Sequence, residues 1–532
     1  VSLFPAFIPP SNALQSKPRG TSMREAAALI LSGLDAETAL QRVSELLNAG
    51  IRTFLLAGTL LGEPERLSRL VESLRAKALE LGAGRLCIAI GPGGPGLPSL
   101  DFEPHPLALA ALGRNTAAKR AGKLLGLLAA SLGIDLVLTP HVDSVFNPKN
   151  PSGVLDSFGD EPDSASRLCL AYIEGINSGG AAACALGFPC SASRSSSFSE
   201  VYPVAEISVK KLCGTGSKPL SAAIKAGLGA VLVSRMLVPS MEPEHLPATS
   251  SRKIIEGRLR KELGFDGVVI AEVADSESDP GKAVIASALA GCDLTILMNP
   301  DKAIAAAATL SAEGALGPRE REIIDRSRER MAKLLSGLQG GANFRKFEAI
   351  GKSLLFGKVA RERLESCVIV KDECAFDGSA LPGLILAFTP CSVSLRERTV
   401  ATFMDCLGKA FPQAVIIQAA SDPDPETAAM LADRIIQAAG TAKGSSPAAV
   451  LCCNAHFRPE QEALARIVAE SFPRFSIIAL KDPYDLAFFP DAQGLAAVFG
   501  FSAGSSRAVV SLLSGKLRTR SVLPVNLVGR EL

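Results

Sequence analysis

Short apolar runs alternate with amphipathic stretches through the first two thirds of the 532-residue chain. The runs that predict buried strands are 53–57, 86–90, 135–139, 181–186, 230–234, 267–271 and 293–298. Between them, stretches such as 117–132 and 251–263 carry apolar residues at helical spacing. Wholly apolar strands that alternate with helices predict a parallel sheet covered on both faces. Seven consecutive units favour an α/β fold of the (β/α)8 type, a TIM barrel, although the pattern places no eighth strand.

A second α/β pattern follows the first. A charged helix is predicted over 318–338, and Gly340 and Gly341 then interrupt the helical pattern. Beyond these glycines, further buried strands are predicted at 367–371, 384–388, 414–418, 448–452 and 475–480. We therefore predict a barrel domain over 1–339, a linker over 340–360 and a C-terminal αβα layered domain over 361–532.

Composition narrows the class of protein. Hydrophobic residues make up 47% of the chain, which is enough for two large cores, and the net charge is only +2. No basic stripe with interleaved aromatic residues occurs, so we expect no nucleic-acid partner. No uncharged apolar run has the length needed to cross a bilayer, so we expect no membrane span.

The cysteines and histidines bear on metals and on location. Most of the 12 cysteines lie in apolar runs, as Cys87 and Cys452 do, and the chain has four histidines and no pair of cysteines with metal-ligand spacing. We therefore predict no metal site and no cofactor. Many unpaired thiols indicate a reducing compartment. With no basic leader before the apolar start, this favours the cytoplasm, and a periplasmic or secreted location stays open.

Polar and glycine- or proline-containing motifs follow several predicted strands. In chain order they are Asp143 with Asn147-Pro148, Ser157-Phe158-Gly159-Asp160, Phe188-Pro189, Leu246-Pro247-Ala248-Thr249, Gly264-Phe265-Asp266-Gly267, Asp482-Pro483-Tyr484-Asp485 and Leu523-Pro524-Val525. This ordered set resembles glycoside hydrolase family 3, in its β-N-acetylglucosaminidase (β-hexosaminidase) branch. The resemblance implies a TIM barrel followed by an αβα domain. It also implies retaining cleavage of β-linked carbohydrates, with cell-wall amino sugars as candidate partners.

Retaining hydrolysis needs a nucleophilic carboxylate and a proton donor about 5 Å apart. The resemblance places the nucleophile at the end of the sixth predicted strand, where Glu272 replaces the family's aspartate. Glutamate keeps the carboxylate but is longer by one methylene. In this branch the acid is a histidine held by an aspartate, and these two positions fall on Ser197 and Ser199. No histidine occurs between His141 and His245, so the dyad is absent from this loop.

Positions that hold the sugar in the family have also changed. The resemblance keeps Asp143 as a sugar ligand, although an aspartate beside Asn147-Pro148 is also typical of a turn or helix cap. It places Asp156 where the family has arginine and Arg235 where it has histidine. We predict that Arg235, or else Arg194, pairs with Glu272, because an unpaired carboxylate in a closing pocket is costly.

These departures lead to two functional hypotheses. Losing acid–base assistance costs about 10²–10⁴-fold in rate, and with a displaced nucleophile the deficit is roughly 5–8 kcal/mol of barrier. The first hypothesis is therefore a catalytically impaired member, a pseudoenzyme with a sugar-binding or scaffold role. The alternative is an active retaining β-N-acetylhexosaminidase or other β-glycosidase that uses Glu272 and recruits an acid from elsewhere, such as the second domain.

Overall fold

A computed structural model gives the architecture for most of the chain. It describes residues 30–35, 39–57, 63–91, 104–142, 154–190, 202–205, 207–273, 279–311, 317–338, 341–390, 394–441 and 446–527. The described strands form two sheets, a closed barrel and an open sheet of six strands.

Eight parallel strands form the barrel, as predicted. They are β1 Ile30–Asp35, β2 Thr53–Ala57, β3 Cys87–Ile90, β4 Leu136–His141, β5 Ala182–Phe188, β6 Ala230–Val233, β7 Val268–Glu272 and β8 Leu294–Leu297. Each strand pairs with the next in the chain, and β8 pairs with β1 in the register Thr295↔Ile30, which closes the ring. The fold is therefore a TIM barrel.

The barrel strand that the sequence pattern failed to place is the first one. Strand β1 has the sequence ILSGLD, in which serine and glycine interrupt the apolar residues, so it lacks the continuous run of the other strands. It pairs with β2 in parallel, with Leu31 opposite Thr53. Because the missed strand precedes all the others, Glu272 ends the seventh strand of the barrel and not the sixth.

Helices cover the outside of the barrel. They are α1 Ala39–Asn48, α2 Pro64–Glu80, α3 Pro106–Leu112, α4 Asn115–Ser131, α5 Pro162–Gly179, α6 Val209–Cys213, α7 Lys218–Lys225, α8 Pro280–Ala290, α9 Pro300–Ser311 and α10 Pro318–Ser336. A further helix, Lys253–Glu262, has π-type hydrogen bonds. Helices α4 and α5 lie in close contact, since a Cβ atom at Gly122 or Gly126 would overlap the backbone of α5.

Helix α10 closes the amino-terminal end of the barrel. Its apolar residues Met331, Leu334 and Leu335 pack against the side chains that fill the barrel interior. Arg85 donates to the carbonyl oxygens of Leu335 and Leu338 at 2.7 and 2.9 Å, which fixes the end of the helix against β3. This end of the barrel is a packed floor, which leaves the carboxyl ends of the strands for a site.

The open sheet forms the centre of a layered αβα domain. In the order of the sheet its strands are β11 Val415–Ala420, β10 Leu384–Thr389, β12 Ala448–Cys452, β13 Phe475–Ala479, β14 Gly494–Ala497 and β9 Val368–Asp372, of which only β9 runs antiparallel to its neighbour. Its helices are α13 Ser394–Ala410, α14 Pro425–Thr441, α15 Pro459–Ser471 and α16 Ala503–Leu513. Alternate strand residues enter two separate cores, one on each face.

The segment 340–360 connects the two sheets through helices. It holds α11 Phe344–Gly351 and the first turns of α12 Leu354–Glu365. Arg120 of α4 bonds to Glu362, and Arg114 bonds to Glu365 at 2.6 Å, so α12 is fixed to the barrel helices. Among the described helices, none is long and apolar enough to cross a membrane.

Candidate functional site

The predicted site residues that the structure describes lie at the carboxyl ends of the barrel strands. Glu272 is the last residue of β7 and is half-buried, and Arg235 follows β6 by two positions. Asp143, Arg194, Ser197 and Ser199 lie outside the described residues. The nucleophile position therefore opens on the end of the barrel opposite the packed floor.

The predicted pairing of Arg235 with Glu272 is wrong. Both residues are described, no ion pair joins them, and the Nε atom of Arg235 is buried without a hydrogen-bond partner. The backbone gives the physical reason, since the Ser234 amide donates to the Phe188 carbonyl oxygen at 2.6 Å and the Leu237 amide donates to Pro203 at 2.9 Å. These bonds tie the segment after β6 to the end of β5 and to Pro203, so the backbone on both sides of Arg235 is positioned by partners outside β7.

Asp156 lies in the segment that follows β4 and faces a histidine. Its carbonyl oxygen accepts from the His141 amide at 3.1 Å, which ties it to the end of β4. Its Oδ1 is 3.6 Å from Nδ1 of His105, and the two side chains are 31% and 42% exposed. Both groups are therefore held in place and still open to a ligand.

The carboxyl of Asp156 is charged at neutral pH. Burial raises its pKa, but the hydrogen bond from His105 and the charges of His105 and His141 lower it by more. The ammonium of Lys481, from the second domain, acts in the same direction. The pKa of Asp156 consequently lies below its usual range, and its negative charge is stabilised by groups from both domains.

A buried polar cluster faces Asp156 from the second domain. It follows the ends of the neighbouring strands β12 and β13 and consists of Asn454, His456, Lys481, Asp482 and Asp485. With the Asn454 side-chain amide oriented so that both of its ends have partners, its nitrogen donates to Asp482 Oδ2 at 2.9 Å and its oxygen accepts from Lys481 Nζ at 3.2 Å. Nδ1 of His456 lies 2.6 Å from Oδ1 of Asp485. Asn454 has a φ of 61°, a left-handed conformation that non-glycine residues rarely adopt.

Asp482 is fully buried, and its Oδ1 has no hydrogen-bond partner. Burial is the main cause that raises the pKa of Asp482 to about 6, and the carboxylates of Asp485 and Asp156 act in the same direction. The charges of Lys481 and His456 oppose this rise. Since Asp156 belongs to the barrel segment, its influence on Asp482 indicates that the two domains meet at this cluster.

The barrel segment that carries Asp156 is also clamped by the end of the chain. The Asp160 amide donates to the Pro524 carbonyl oxygen at 3.2 Å, and the Asn526 amide donates to Asp160 Oδ2 at 2.8 Å. Gly159 has a φ of +90°, and a Cβ atom there would overlap the Pro524 oxygen. The motif at 157–160 thus joins the two domains beside the candidate site.

The sequence did not predict His105, Lys481, Asn454 or His456 as site residues. A usable signal existed for the second domain, because Asn454 and Lys481 directly follow apolar runs, and ligands of open parallel sheets bind at the carboxyl ends of the strands. His105 carried no such signal. It occupies the N-cap position of α3 without a capping hydrogen bond from its side chain, and only the folded chain brings it to Asp156.

No metal centre emerges from the part of the chain that the structure describes. Within it, no group of three or more histidine, cysteine or acidic side chains is arranged to hold an ion. Burial raises the pKa of the Cys87, Cys169 and Cys184 thiols, which keeps them protonated. They are therefore packing residues and not nucleophiles.

Comparison with known proteins identifies the family. Residues 35–334 match the model for the glycosyl hydrolase family 3 N terminal domain. A β-hexosaminidase of Chromobacterium violaceum is 28% identical over 313 residues, which cover 55% of this chain and 83% of that protein. A β-N-acetylglucosaminidase/β-glucosidase of Cellulomonas fimi is 30% identical over 205 residues, 35% of this chain.

The solved structures agree with the fold. A glycoside hydrolase family 3 β-N-acetylglucosaminidase from Paenibacillus sp. has a TM-score of 0.78 at 23% identity, covering 96% of this chain and 99% of the other. A β-glucosidase from Listeria innocua in complex with glucose has a TM-score of 0.70 at 18% identity, covering 96% of this chain and 75% of the other.

The chain is a glycosidase-like protein, and it belongs to glycoside hydrolase family 3. Among its curated relatives, the matched region spans 36% of the length of the Cellulomonas fimi protein and 54% of that of a β-hexosaminidase of Methylobacillus flagellatus. The similarity therefore covers part of those proteins.

Proposed function

We propose that the protein binds β-linked amino sugars at the carboxyl end of its barrel and hydrolyses them poorly. The observation that carries this proposal is the absence of any histidine between His141 and His245, so the loop after β5 holds Ser197 and Ser199 where the branch has its acid dyad. A hydroxyl group does not protonate a leaving oxygen at neutral pH, because its pKa is far too high. Glu272 supplies a carboxylate at the end of β7.

The test is hydrolysis of β-N-acetylglucosaminides with leaving groups of graded acidity, beside an active family member. We expect a rate lower by about 10⁴–10⁶-fold, the product of lost acid assistance and a displaced nucleophile. The deficit should be largest for alkyl leaving groups, because an acidic phenol departs without a proton. Calorimetry with N-acetylglucosamine should show saturable binding, which a scaffold lacking a sugar site would not give.

Two variants make the test specific. Glu272→Gln removes the carboxylate on β7, and Glu244→Gln makes the same chemical change on a side chain that is 71% exposed. If the native protein cleaves an alkyl glycoside rapidly, and this activity disappears in the Glu272 variant but persists in the Glu244 variant, the proposal that hydrolysis is impaired is overturned.

The second candidate is a working retaining β-glycosidase that uses Glu272. One observation favours it, namely that Glu272 is not neutralised by Arg235, so its lone pairs are not engaged by that guanidinium. This function requires a proton donor other than the lost dyad. The same leaving-group series distinguishes it, because a recruited acid would keep the rate for alkyl and phenol leaving groups similar.

A further inference from the structure

A basic segment follows α16, the last helix of the second domain. The whole chain has 56 basic and 54 acidic residues, yet residues 492–530 contain no aspartate or glutamate. The basic residues of this stretch are Arg507, Lys516, Arg518, Arg520 and Arg530. At most about 14 Å of chain separates Lys516 from Arg520. Positive charge is therefore concentrated here, in a protein whose charges are otherwise nearly balanced.

The side chains of Lys516, Arg518 and Arg520 form what we call the cationic row. All three residues are exposed, whereas the two residues between them are buried or half-buried. In the part of the chain that the structure describes, none of the three pairs with a carboxylate. Arg518 donates to the carbonyl oxygens of Gly515 and Leu517, at 3.2 and 3.3 Å. The positive charges of the row thus face solvent without a counter-charge.

The backbone beneath the cationic row is fixed by the residues that alternate with the cations. Leu517 is buried in one core of the open sheet. The Thr519 hydroxyl lies 2.8 and 2.6 Å from the carbonyl oxygens of Glu365 and Cys367, and the Ser521 hydroxyl donates to the Glu365 oxygen at 2.7 Å. The row is therefore held in place before any partner arrives, which lowers the entropic cost of binding.

The chemistry of the row suits a chain of repeated negative charges. We propose that the cationic row binds an acidic polysaccharide, a glycan chain that carries a carboxylate on its repeating units. Guanidinium groups bind carboxylates through two parallel hydrogen bonds, and the ammonium of Lys516 adds a third positive charge. Several such contacts along one polymer strengthen each other, because each bound unit holds the next one close. The chain belongs to a glycosyl hydrolase family, which favours a glycan among polyanions.

Two other anionic partners fit this surface less well. Proteins that hold single-stranded nucleic acid stack its bases on aromatic side chains, and no aromatic residue follows Phe501 in the sequence. Surfaces that bind anionic membranes add several large apolar side chains. Among the described residues after Phe501, only Val522 is a large hydrophobic residue with high exposure, at 70%. The row involves neither Glu272 nor the barrel mouth, so this inference does not rest on the proposed function.

Calorimetry with a hexamer of β-1,4-linked mannuronate tests the row, beside the neutral hexamer cellohexaose. We expect the native protein to bind the acidic hexamer more tightly, with an affinity that falls as the salt concentration rises. Lys516→Ala, Arg518→Ala and Arg520→Ala should each weaken this binding about two- to fivefold, and the triple variant about tenfold to 100-fold. Arg518→Lys should keep most of the affinity, because it preserves the charge.

The control removes the same amount of charge from another surface. Arg319, Arg321 and Arg326 are exposed on α10, where acidic residues lie between them. Their joint replacement by alanine should leave the affinity for the acidic hexamer unchanged. The row variants keep Leu517, Thr519 and Ser521, so their melting temperatures should stay close to that of the native protein.

The outcomes decide the proposal. Loss of the acidic hexamer in the row variant but not in the α10 variant supports it. Equal losses in the two triple variants would show that only net charge matters, and equal native affinity for both hexamers would show that charge has no part; either result overturns it. Tighter binding of a thymidylate hexamer or of phosphatidylglycerol vesicles, lost in the row variant, would also overturn it and assign the row to nucleic acid or to a membrane.

Discussion

The protonation state of Asp482, at the contact between the two domains, affects the stability of the folded protein. The carboxyl is fully buried, one of its oxygens has no hydrogen-bond partner, and burial raises its pKa to about 6. The folded protein thus binds this proton more tightly than the unfolded chain does. Asp482 is therefore most favourable to folding at low pH, and this contribution is lost as the pH rises through about 6.

Replacing Asp482 by asparagine should make the protein more stable at pH 7.5. The amide imitates the neutral carboxyl and can still accept from Asn454, so a penalty of up to about 3 kcal/mol, which corresponds to a shift of about two pKa units, is removed. Urea unfolding at pH 5 and pH 7.5 checks this, with the exposed Asp433→Asn as the control. A variant that is less stable than the native protein at pH 7.5 would show that the attraction of the Lys481 charge for Asp482 outweighs the cost of burying the carboxylate.

Residue by residue, the candidate site was predictable only in part. The position of Glu272 follows from the strand before it, because the carboxyl ends of all barrel strands lie at the same end. Which side chain contacts Glu272 could not be predicted in the same way. Arg235 lies beyond the end of β6, and its backbone is positioned by the hydrogen bonds of its neighbours to Phe188 and Pro203. Asp156 was placed in the site by the family resemblance, and its contact with His105 was not foreseen.

At the scale of elements, two aspartates hold the floor of the barrel in the same way. Asp135 precedes β4 and accepts from the Ile88 amide at 2.9 Å and from Arg75 at 2.8 Å. Asp293 precedes β8 and accepts from the Val269 amide at 2.8 Å, from Arg260 at 2.6 Å and from Arg330 of α10 at 2.9 Å. Each aspartate joins its own strand to the preceding one and to the surrounding helices.

Asp293→Asn should destabilise the protein by about 3–5 kcal/mol, because it leaves buried guanidinium groups without their counter-charge. Asp266→Asn is the matched control. Asp266 pairs with Arg330 and Lys333 of the same helix but is 76% exposed, so its loss should cost at most about 1 kcal/mol. Denaturant unfolding measures both variants. Equal losses of stability in the two variants would mean that burial does not determine how much these ion pairs contribute to stability.

The elements themselves were predicted where the apolar run was long and continuous. Strands β2 and β12 begin and end where the pattern placed them. The missed strands are β1, which contains serine and glycine, and β14, which is only the four residues GLAA. Short or interrupted strands are defined by pairing with their neighbours, and a local pattern cannot supply that information.

Across the whole molecule, residues of the barrel domain extend one of the two cores of the open sheet. Leu107, Ala108 and Val154 from the barrel side pack in the same cluster as residues of the open sheet such as Leu386 and Val450. The helix pair at 344–365 and the clamp at Gly159 join the same two halves. A site between the domains is therefore held by packing on several sides.

Gly159→Ala tests this connection. It should destabilise the protein by about 2–5 kcal/mol, because the methyl group overlaps the Pro524 oxygen in addition to the strain of a positive φ. Gly82→Ala is the control, since Gly82 also has a positive φ but no atom lies within 4 Å of its added Cβ. That change should cost about 1–2 kcal/mol. Similar melting temperatures for the two variants would show that the clamp contributes little.

The sequence by itself determined the fold class, most of the strands and the place of Glu272 at the end of a strand. Apolar runs that alternate with helices are a local pattern, and this pattern predicts parallel strands whose carboxyl ends lie together. Only the tertiary structure decided which polar groups meet at the junction. His105, Asp156 and Lys481 come from three distant parts of the chain. Their contact depends on how the barrel domain and the αβα domain pack together. The hydrophobic periodicity of each domain predicts its own strands and helices but not the packing between the domains.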